Sequence, residues 1–270
     1  MHKKFLAAAV LTTVFSANAF AADAIFIDNQ PAADIDHQIA PDWSLLVTPY
    51  LWASGIKGNI SPFKRAPSIE VEKSFKDIVK DLNFGGFLDV RGRYEDFIFA
   101  GDLMYINTTD IENISKLPVI GPVQGLSAQV DSAQFTATLK GGYRVYNDET
   151  WSLDLLGGLR IWHISNDVTI RYNNFSESHN ESFSWVDPII GFRAFINFTP
   201  SLSLQLQGDG GGFNVGSKET WQGLATLNYT FTKHLSTSVG YKYLRVNYSD
   251  KGHTFDTTLK GPVVGMTYRF

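Results

Sequence analysis

Leu202-Ser203-Leu204-Gln205-Leu206-Gln207-Gly208-Asp209 places a leucine at alternate positions and a polar or small residue between them. Successive side chains of a strand point to opposite faces, so this stretch is a ribbon with one oily and one polar side. The pattern recurs on either side of it. In Trp151–Ile164, Trp151, Leu153, Leu155, Leu159 and Ile161 oppose Ser152, Asp154, Gly158 and Arg160. In Ala133–Val145, Phe135, Leu139 and Tyr143 oppose Gln134, Thr136, Lys140 and Arg144. Further on, Val186, Ile190, Phe192, Ile196 and Phe198 oppose Asp187, Arg193 and Asn197.

Ten such segments run from Trp43 to the last residue: Trp43–Gly55, Leu82–Tyr94, Phe97–Thr108, Ala128–Val145, Trp151–Ile164, Phe183–Phe198, Leu202–Phe213, Trp221–Phe231, Leu235–Tyr248 and His253–Phe270. A soluble sandwich shows the same alternation, with its oily faces in a core. Three features favour a closed antiparallel up-and-down transmembrane β-barrel of about ten strands, with eight or twelve as alternatives. Aromatics gather at strand ends (Tyr94, Phe97, Trp151, Phe198, Phe231, Phe270), as interfacial girdles require. Short turns at Glu95-Asp96, Tyr146–Thr150, Thr199–Ser201 and Lys233-His234 alternate with longer connections at Ser61–Asp81, Thr109–Ser127 and Asn173–Ser182. An even strand number also returns the chain to the side it entered. Within Ser61–Asp81, Phe75, Ile78, Val79 and Leu82 fall at helical spacing and predict a short helix over Ser74–Leu82, folded over or into the barrel mouth.

His2, Lys3 and Lys4 precede an apolar run, Phe5–Phe15, and then small residues at Ala17, Ala19, Ala21 and Ala22, the layout of a cleaved secretory signal over residues 1–21. The run is too short to span a bilayer as a helix, which takes about 20 residues. Residues 22–42 follow as a polar tail with five aspartates, expected on the periplasmic side, and the barrel occupies residues 43–270. Without Lys3 and Lys4, 21 basic residues face 27 acidic ones, so the formal charge moves from −4 to −6 and nothing favours nucleic acid. An exported chain with no cysteine lacks disulfide support, and a membrane supplies the alternative. No later stretch is apolar enough for a membrane helix, and only helices and closed barrels pair every backbone group in lipid.

The terminal segment Gly261-Pro-Val-Val-Gly-Met-Thr-Tyr-Arg-Phe270 resembles the last strand of Gram-negative outer-membrane β-barrel proteins. In that family the final aromatic (Phe270), the aromatic two residues before it (Tyr268) and the alternate apolar positions (Met266, Val264) are read by the barrel-assembly machinery. Thr48-Pro-Tyr-Leu-Trp52, Trp185-Val-Asp-Pro188 with Gly191-Phe-Arg193, and Gly240-Tyr-Lys-Tyr-Leu244 look like segments of a widespread group of such proteins without an assigned activity. The resemblance implies a bacterial outer-membrane location, contact with outer-membrane lipid and lipopolysaccharide, and no cofactor; it leaves oligomeric state open.

By parity the inward set holds Asp89, Arg91, Arg93, Asp102, Lys140, Arg144, Asp154, Arg160, Asp187, Arg193, Asp209, Lys242 and Arg269, five acids and eight bases. These groups either pair to fill a narrow lumen or line a narrow passive pore with a weak anion preference; inward glycines at 158, 240 and 265 favour the pore by leaving space. The expected role is therefore structural scaffold or small-solute pore. Two alternatives are an adhesin or receptor acting through the long loops, and an enzyme with a rim site, for which His163 near Asp167 and Asp187 is the candidate base. The parity of His163 puts it outside, no Asp-Asp, Asp-His or Ser-His constellation of outer-membrane hydrolases stands out, and no metal-ligand spacing appears. Catalysis is not expected. Gly208-Asp-Gly-Gly-Gly212 lacks the Lys-Ser/Thr ending of a phosphate loop and reads as a bend near a rim.

Overall fold

A computed structural model describes residues 43–61, 63–64, 68–113, 116–117, 121–122, 126–172 and 175–270. The expected signal segment and tail lie outside the described residues. The elements are β1 (Trp43–Trp52), β2 (Gly55–Ser61), β3 (Ile69–Lys73), α1 (Phe75–Asp81), β4 (Leu82–Tyr94), β5 (Phe97–Asn113), the short pair β6 (Lys116–Leu117) and β7 (Gly121–Pro122), β8 (Leu126–Asn147), β9 (Trp151–Tyr172), β10 (Phe175–Thr199), β11 (Leu202–Gly211), β12 (Glu219–Thr230), β13 (Leu235–Asp250) and β14 (His253–Arg269). The wall runs β1-β4-β5-β8-β9-β10-β11-β12-β13-β14 and closes by pairing β14 with β1, from Leu46↔Arg269 to Trp52↔Val263. Every neighbouring pair in the wall is antiparallel. The first stave is made in two pieces: β1 covers the lower half of β14, and β2 pairs with its upper half, from Gly55↔Lys260 to Ser61↔Thr254.

The sides of this sheet are inverted relative to a soluble protein. Leu155, Leu159, Ile190, Phe192, Val239 and Val264 are exposed on the outside, while Asp154, Arg160 and Asp187 have no exposed surface. Soluble monomers rarely expose a continuous apolar band, so the outer face is the lipid face of a transmembrane barrel. At the end carrying the short turns, outward aromatics pair into a girdle: Tyr146 stacks on Trp151 at 4.1 Å, and Phe97–Tyr143, Tyr229–Phe231 and Tyr268–Phe270 meet edge to face at 5.4, 5.2 and 4.8 Å. We call this the turn end and the other the loop end.

Ten residues of β11 rise about 25 Å when tilted by ~40°, the height of the apolar band. The 22 residues of β9 and 25 of β10 therefore stand about 30 Å or more beyond it. Here the structure corrects the sequence reading. Most of Thr109–Ser127 and Asn173–Ser182 was expected to be loop, but β5 continues to Asn113, β8 starts at Leu126, and Phe175–Ser182 pairs with β9 residue by residue. Outside the lipid both faces of Glu177-Ser178-His179-Asn180-Glu181-Ser182 meet water, so the apolar alternation ends while the ladder does not. Ser61–Asp81 holds the last residue of β2, then β3 and α1. Ser74 caps α1, its hydroxyl accepting from the Asp77 N–H at 3.4 Å; the Lys80 ammonium at 2.5 Å and the Ser74 hydroxyl at 2.6 Å, both donating to the Asp77 carboxylate, lower it to about 2. The helix buries no residue and leaves Phe75 and Val79 exposed, so it does not fill the mouth.

Candidate functional site: the lumen

All thirteen inward charges predicted by parity lie on the inner side of the wall. Their partners form separate groups stacked along the axis. Asp209 accepts from Lys140 Nζ at 2.6 Å and Arg160 Nη2 at 2.7 Å, and Arg160 also donates to Thr220 at 2.9 Å and Thr138 at 3.2 Å. Asp102 accepts from Lys242 Nζ at 2.8 Å and the Tyr50 hydroxyl at 2.9 Å. Asp154 holds Arg144 at 2.8 Å and Arg193 at 3.0 Å; Asp89 holds Arg91 at 2.5 Å, and Arg91 also donates to Gln205 at 2.9 Å. Arg93 donates to the Glu95 carbonyl at 2.9 Å, and Arg269 shares its inward parity near the turn end. Burying such charges is tolerable because carboxylates meet bases across the lumen.

Asp187 takes a different role from the one expected. It accepts from the Trp185 indole at 3.0 Å and the Ser217 amide at 2.6 Å, tying the β11–β12 loop to the wall. That loop turns through Gly212, Phe213 and Asn214 at positive φ, so only the last residue of the glycine run lies in a bend, and Gly208–Gly211 continue β11.

Above the charges lies a layer that parity did not predict. Trp162, Trp185, Phe183, Tyr248 and Phe255 are buried inside the barrel with Trp52, Leu244, Val246 and Leu259. Trp185 stacks on Trp162 at 5.2 Å and 9°, and on Tyr248 of β13 at 4.0 Å and 12°; Phe183 stacks on Tyr248 at 5.8 Å and on His253 at 4.3 Å. β11 and β12 stop short, so the tall β9–β10 hairpin leans across their gap onto β13–β14. The join is fastened outside the apolar band: Lys64 bonds Glu181 through Nζ at 3.0 Å and its own N–H at 3.1 Å, and His253 lies 3.6 Å from the same carboxylate. The N–H and ammonium of Lys64 hold the Glu181 carboxyl below its ordinary value. Lys242 links the two layers, its ammonium lying 5.0 Å from the Tyr50 ring and 5.1 Å from that of Trp52.

Among the described residues the lumen keeps at least two cavities. One of ≈ 50 Å³ lies between Tyr50, Asp102, Gln205, Thr226, Lys242 and Thr267; one of ≈ 30 Å³ lies among arginines at the turn end. Each has room for a few waters, at roughly 10–15 Å³ apiece. The glycines that favoured a pore leave no such space. A Cβ on Gly158 would lie 1.9 Å from the Leu139 carbonyl oxygen, and one on Gly240 1.9 Å from that of Ala225; at Gly265 the Ser238 hydroxyl stands at 2.8 Å. The first two permit close strand approach.

The three residues named for a rim enzyme do not come together in one cluster. His163 faces outward with Nδ1 2.7 Å from Ser184 Oγ, whereas Asp187 is buried on the opposite face, and Asp167 engages Ser178 at 2.9 Å. Among the described residues, no carboxylate orients the imidazole. Also among those residues, no group of three His, Cys, Asp or Glu could hold a metal ion.

No family model matches this sequence, and no curated protein does. Solved structures do. The outer-membrane protease OmpT of Escherichia coli is 11% identical, with a TM-score of 0.51 over 85% of this chain and 97% of that one. The translocator domain of the autotransporter NalP from Neisseria meningitidis is 10% identical, with a TM-score of 0.44 over 87% and 90%. The attachment invasion locus protein Ail of Yersinia pestis is 13% identical, with a TM-score of 0.34 over 84% and 98%. At these identities the likeness concerns fold alone: the chain is a ten-stranded antiparallel barrel of the outer-membrane type.

Proposed function

We propose that this protein is an exported bacterial outer-membrane barrel that acts as a closed structural scaffold rather than as a solute pore. The observation that carries the reading is the aromatic layer of Trp162, Trp185, Phe183 and Tyr248 stacked across the lumen above paired charges. Ten strands leave a lumen close to the width that side chains fill, and here both layers fill it. In this reading residues 1–21 are the cleaved signal, residues 22–42 and the turn end face the periplasm, and the β9–β10 extension faces outward. Met266, Tyr268 and Phe270, all exposed on the outer side of β14, form the signal for the assembly machinery. Lipopolysaccharide and lipid cover the apolar band. No catalytic role belongs to the proposal.

The test is solute flux into liposomes carrying the refolded full-length protein. Arabinose-sized solutes should enter no faster than into protein-free liposomes; size-dependent uptake proportional to protein would overturn the reading in favour of the pore. One observation supports a second reading, a surface-binding role: the extension beyond the band exposes Ile111, Ile170 and Phe175. Removing the β9–β10 tip should then abolish adhesion to host or matrix surfaces while the barrel still assembles.

A further inference from the structure

Above the lipid band the outer face of the β5–β8–β9–β10 wall changes chemistry. Tyr105 and Phe135 are the last exposed aromatics on the outward side of β5 and β8, and the residues beyond them at the same parity are largely polar. Cross-strand register sets Thr109, Asp131, Asp167 and Asn180 side by side, with Ile111, Gln129, Thr169 and Ser178 in the next row. These side chains bind one another in the plane of the face. Asn83 donates to Asn107 at 2.8 Å and to Thr109 at 2.7 Å, and Thr109 donates to Asp131. Gln129 donates to Asp131 at 2.8 Å and accepts from Arg171 at 3.0 Å, while Ser178 donates to Asp167 at 2.9 Å.

The face is therefore a flat sheet of amides and hydroxyls held in place by their neighbours, and such side chains lose little freedom when a ligand docks. An amide offers a donor and an acceptor side by side, and a hydroxyl offers both at once, which suits the adjacent hydroxyls of a sugar. Ile111, Tyr105 and Phe135 are exposed beside them and supply apolar contact for the C–H side of a sugar ring. Two carboxylates, Asp131 and Asp167, against one guanidinium, Arg171, give these rows no net attraction for phosphate. The same four strands continue downward as the lipid-covered wall without a break in their pairing, so the face meets whatever stands on that lipid.

We infer that the outer face of β5–β8–β9–β10 above the band is a docking surface for the saccharide head of a glycolipid in the leaflet at the loop end. This adds a defined contact to the closed-scaffold reading and rests on it only in taking the loop end as the external side. The lipid chains hold the sugar beside the sheet, so a set of individually weak hydrogen bonds suffices.

The chain has no cysteine, so a single introduced thiol reports one place. Ser176→Cys stands on the outer face beside Arg171, and Glu177→Cys on the opposite face of the same strand; both positions are exposed. Each full-length variant is refolded in zwitterionic detergent micelles, and maleimide alkylation is timed under four conditions. These are no addition, lipid A, lipopolysaccharide carrying its core oligosaccharide, and that oligosaccharide released from its lipid. Core-bearing lipopolysaccharide should slow alkylation of Ser176→Cys about tenfold, as for a site nine-tenths occupied, and leave Glu177→Cys unchanged. Lipid A and the released oligosaccharide should each slow it less than about twofold. Adding Asn107→Ala or Gln129→Ala should remove most of the protection; gel mobility reports folding, and if one variant fails to fold the other decides. Equal rates under all four conditions, or slowing at both thiols, would overturn the inference. So would lipid A or the free oligosaccharide protecting as well as the whole glycolipid, or protection without glycolipid that grows with protein concentration and so marks a second copy. Micelles leave both ends of the barrel open to the reagent, so the result stands apart from solute flux and from the side on which the loop end lies in a cell.

Discussion

Replacing Asp209 with asparagine strikes the charge layer at its most buried point. Its carboxylate holds two cations, Lys140 at 2.6 Å and Arg160 at 2.7 Å, and all three side chains are buried. The amide keeps the shape and an acceptor but removes the negative charge, so two buried cations face each other without a counterion. Breaking a buried ion pair by removing one partner costs about 3–5 kcal/mol. Arg160 keeps its bonds to Thr138 and Thr220, and the loss should fall toward the lower figure. Removing one of the stranded cations as well should return part of it. Asp209→Asn combined with Lys140→Gln should be less destabilised than the sum of the single variants by about 0.5–3 kcal/mol. The assay is reversible urea unfolding in liposomes, followed by tryptophan fluorescence and by the mobility difference between folded and unfolded barrels on gels. An Asp209→Asn cost within about 0.5 kcal/mol of zero, with no coupling to Lys140, would mean that this carboxylate is hydrated. A water-filled lumen would then replace the packed one.

Trp185→Ala removes the ring that touches Trp162, Phe183 and Tyr248, and should cost about 3–5 kcal/mol, measured in the same unfolding assay. The join between Lys64 and Glu181 should weaken in acid: a carboxyl held below its ordinary value of 4.5 stabilises the folded state above that pH and ceases to do so as pH falls through the lowered value. Protease nicking of the β9–β10 hairpin should therefore be unchanged from neutral pH to about 5 and increase below about 4; a flat profile to pH 3 would count against the join. Deleting Phe270, whose N–H donates to the Leu45 carbonyl at 2.9 Å, should reduce folded barrel in cells far more than refolding in detergent. Equal yields in cells would remove its role as an assembly signal.

The ring of ten staves was legible because lipid and lumen impose opposite polarities on alternate residues, and Leu202–Asp209 carries that contrast over eight positions. The inward charges followed from the same parity. The aromatic layer did not, although Trp162 shares the parity of Arg160, and Phe183 and Trp185 that of Asp187. Near the loop end the alternation reverses, with Trp162, Ile164, Phe183 and Trp185 buried inside and His163 and Ser184 facing out, so polarity no longer tells the lumen face from the outer one. A tryptophan two residues beyond a buried charge on the same face was the available clue. Tyr50, Gln205 and Thr220, which complete the bonds of Asp102, Arg91 and Arg160, are common polar residues until the fold brings distant strands across the lumen. The upper reaches of β8–β10 escaped for a simpler reason, since strands standing in water need backbone pairing but no apolar face.

Everything rests on a lumen filled by side chains, and electrical recording across a planar bilayer tests that most directly. With the full-length wild-type protein inserted in molar potassium chloride, the account predicts a membrane as quiet as protein-free lipid, and discrete openings only once Trp162 and Trp185 are both reduced to alanine. Steady, well-resolved openings from the wild type would contradict it.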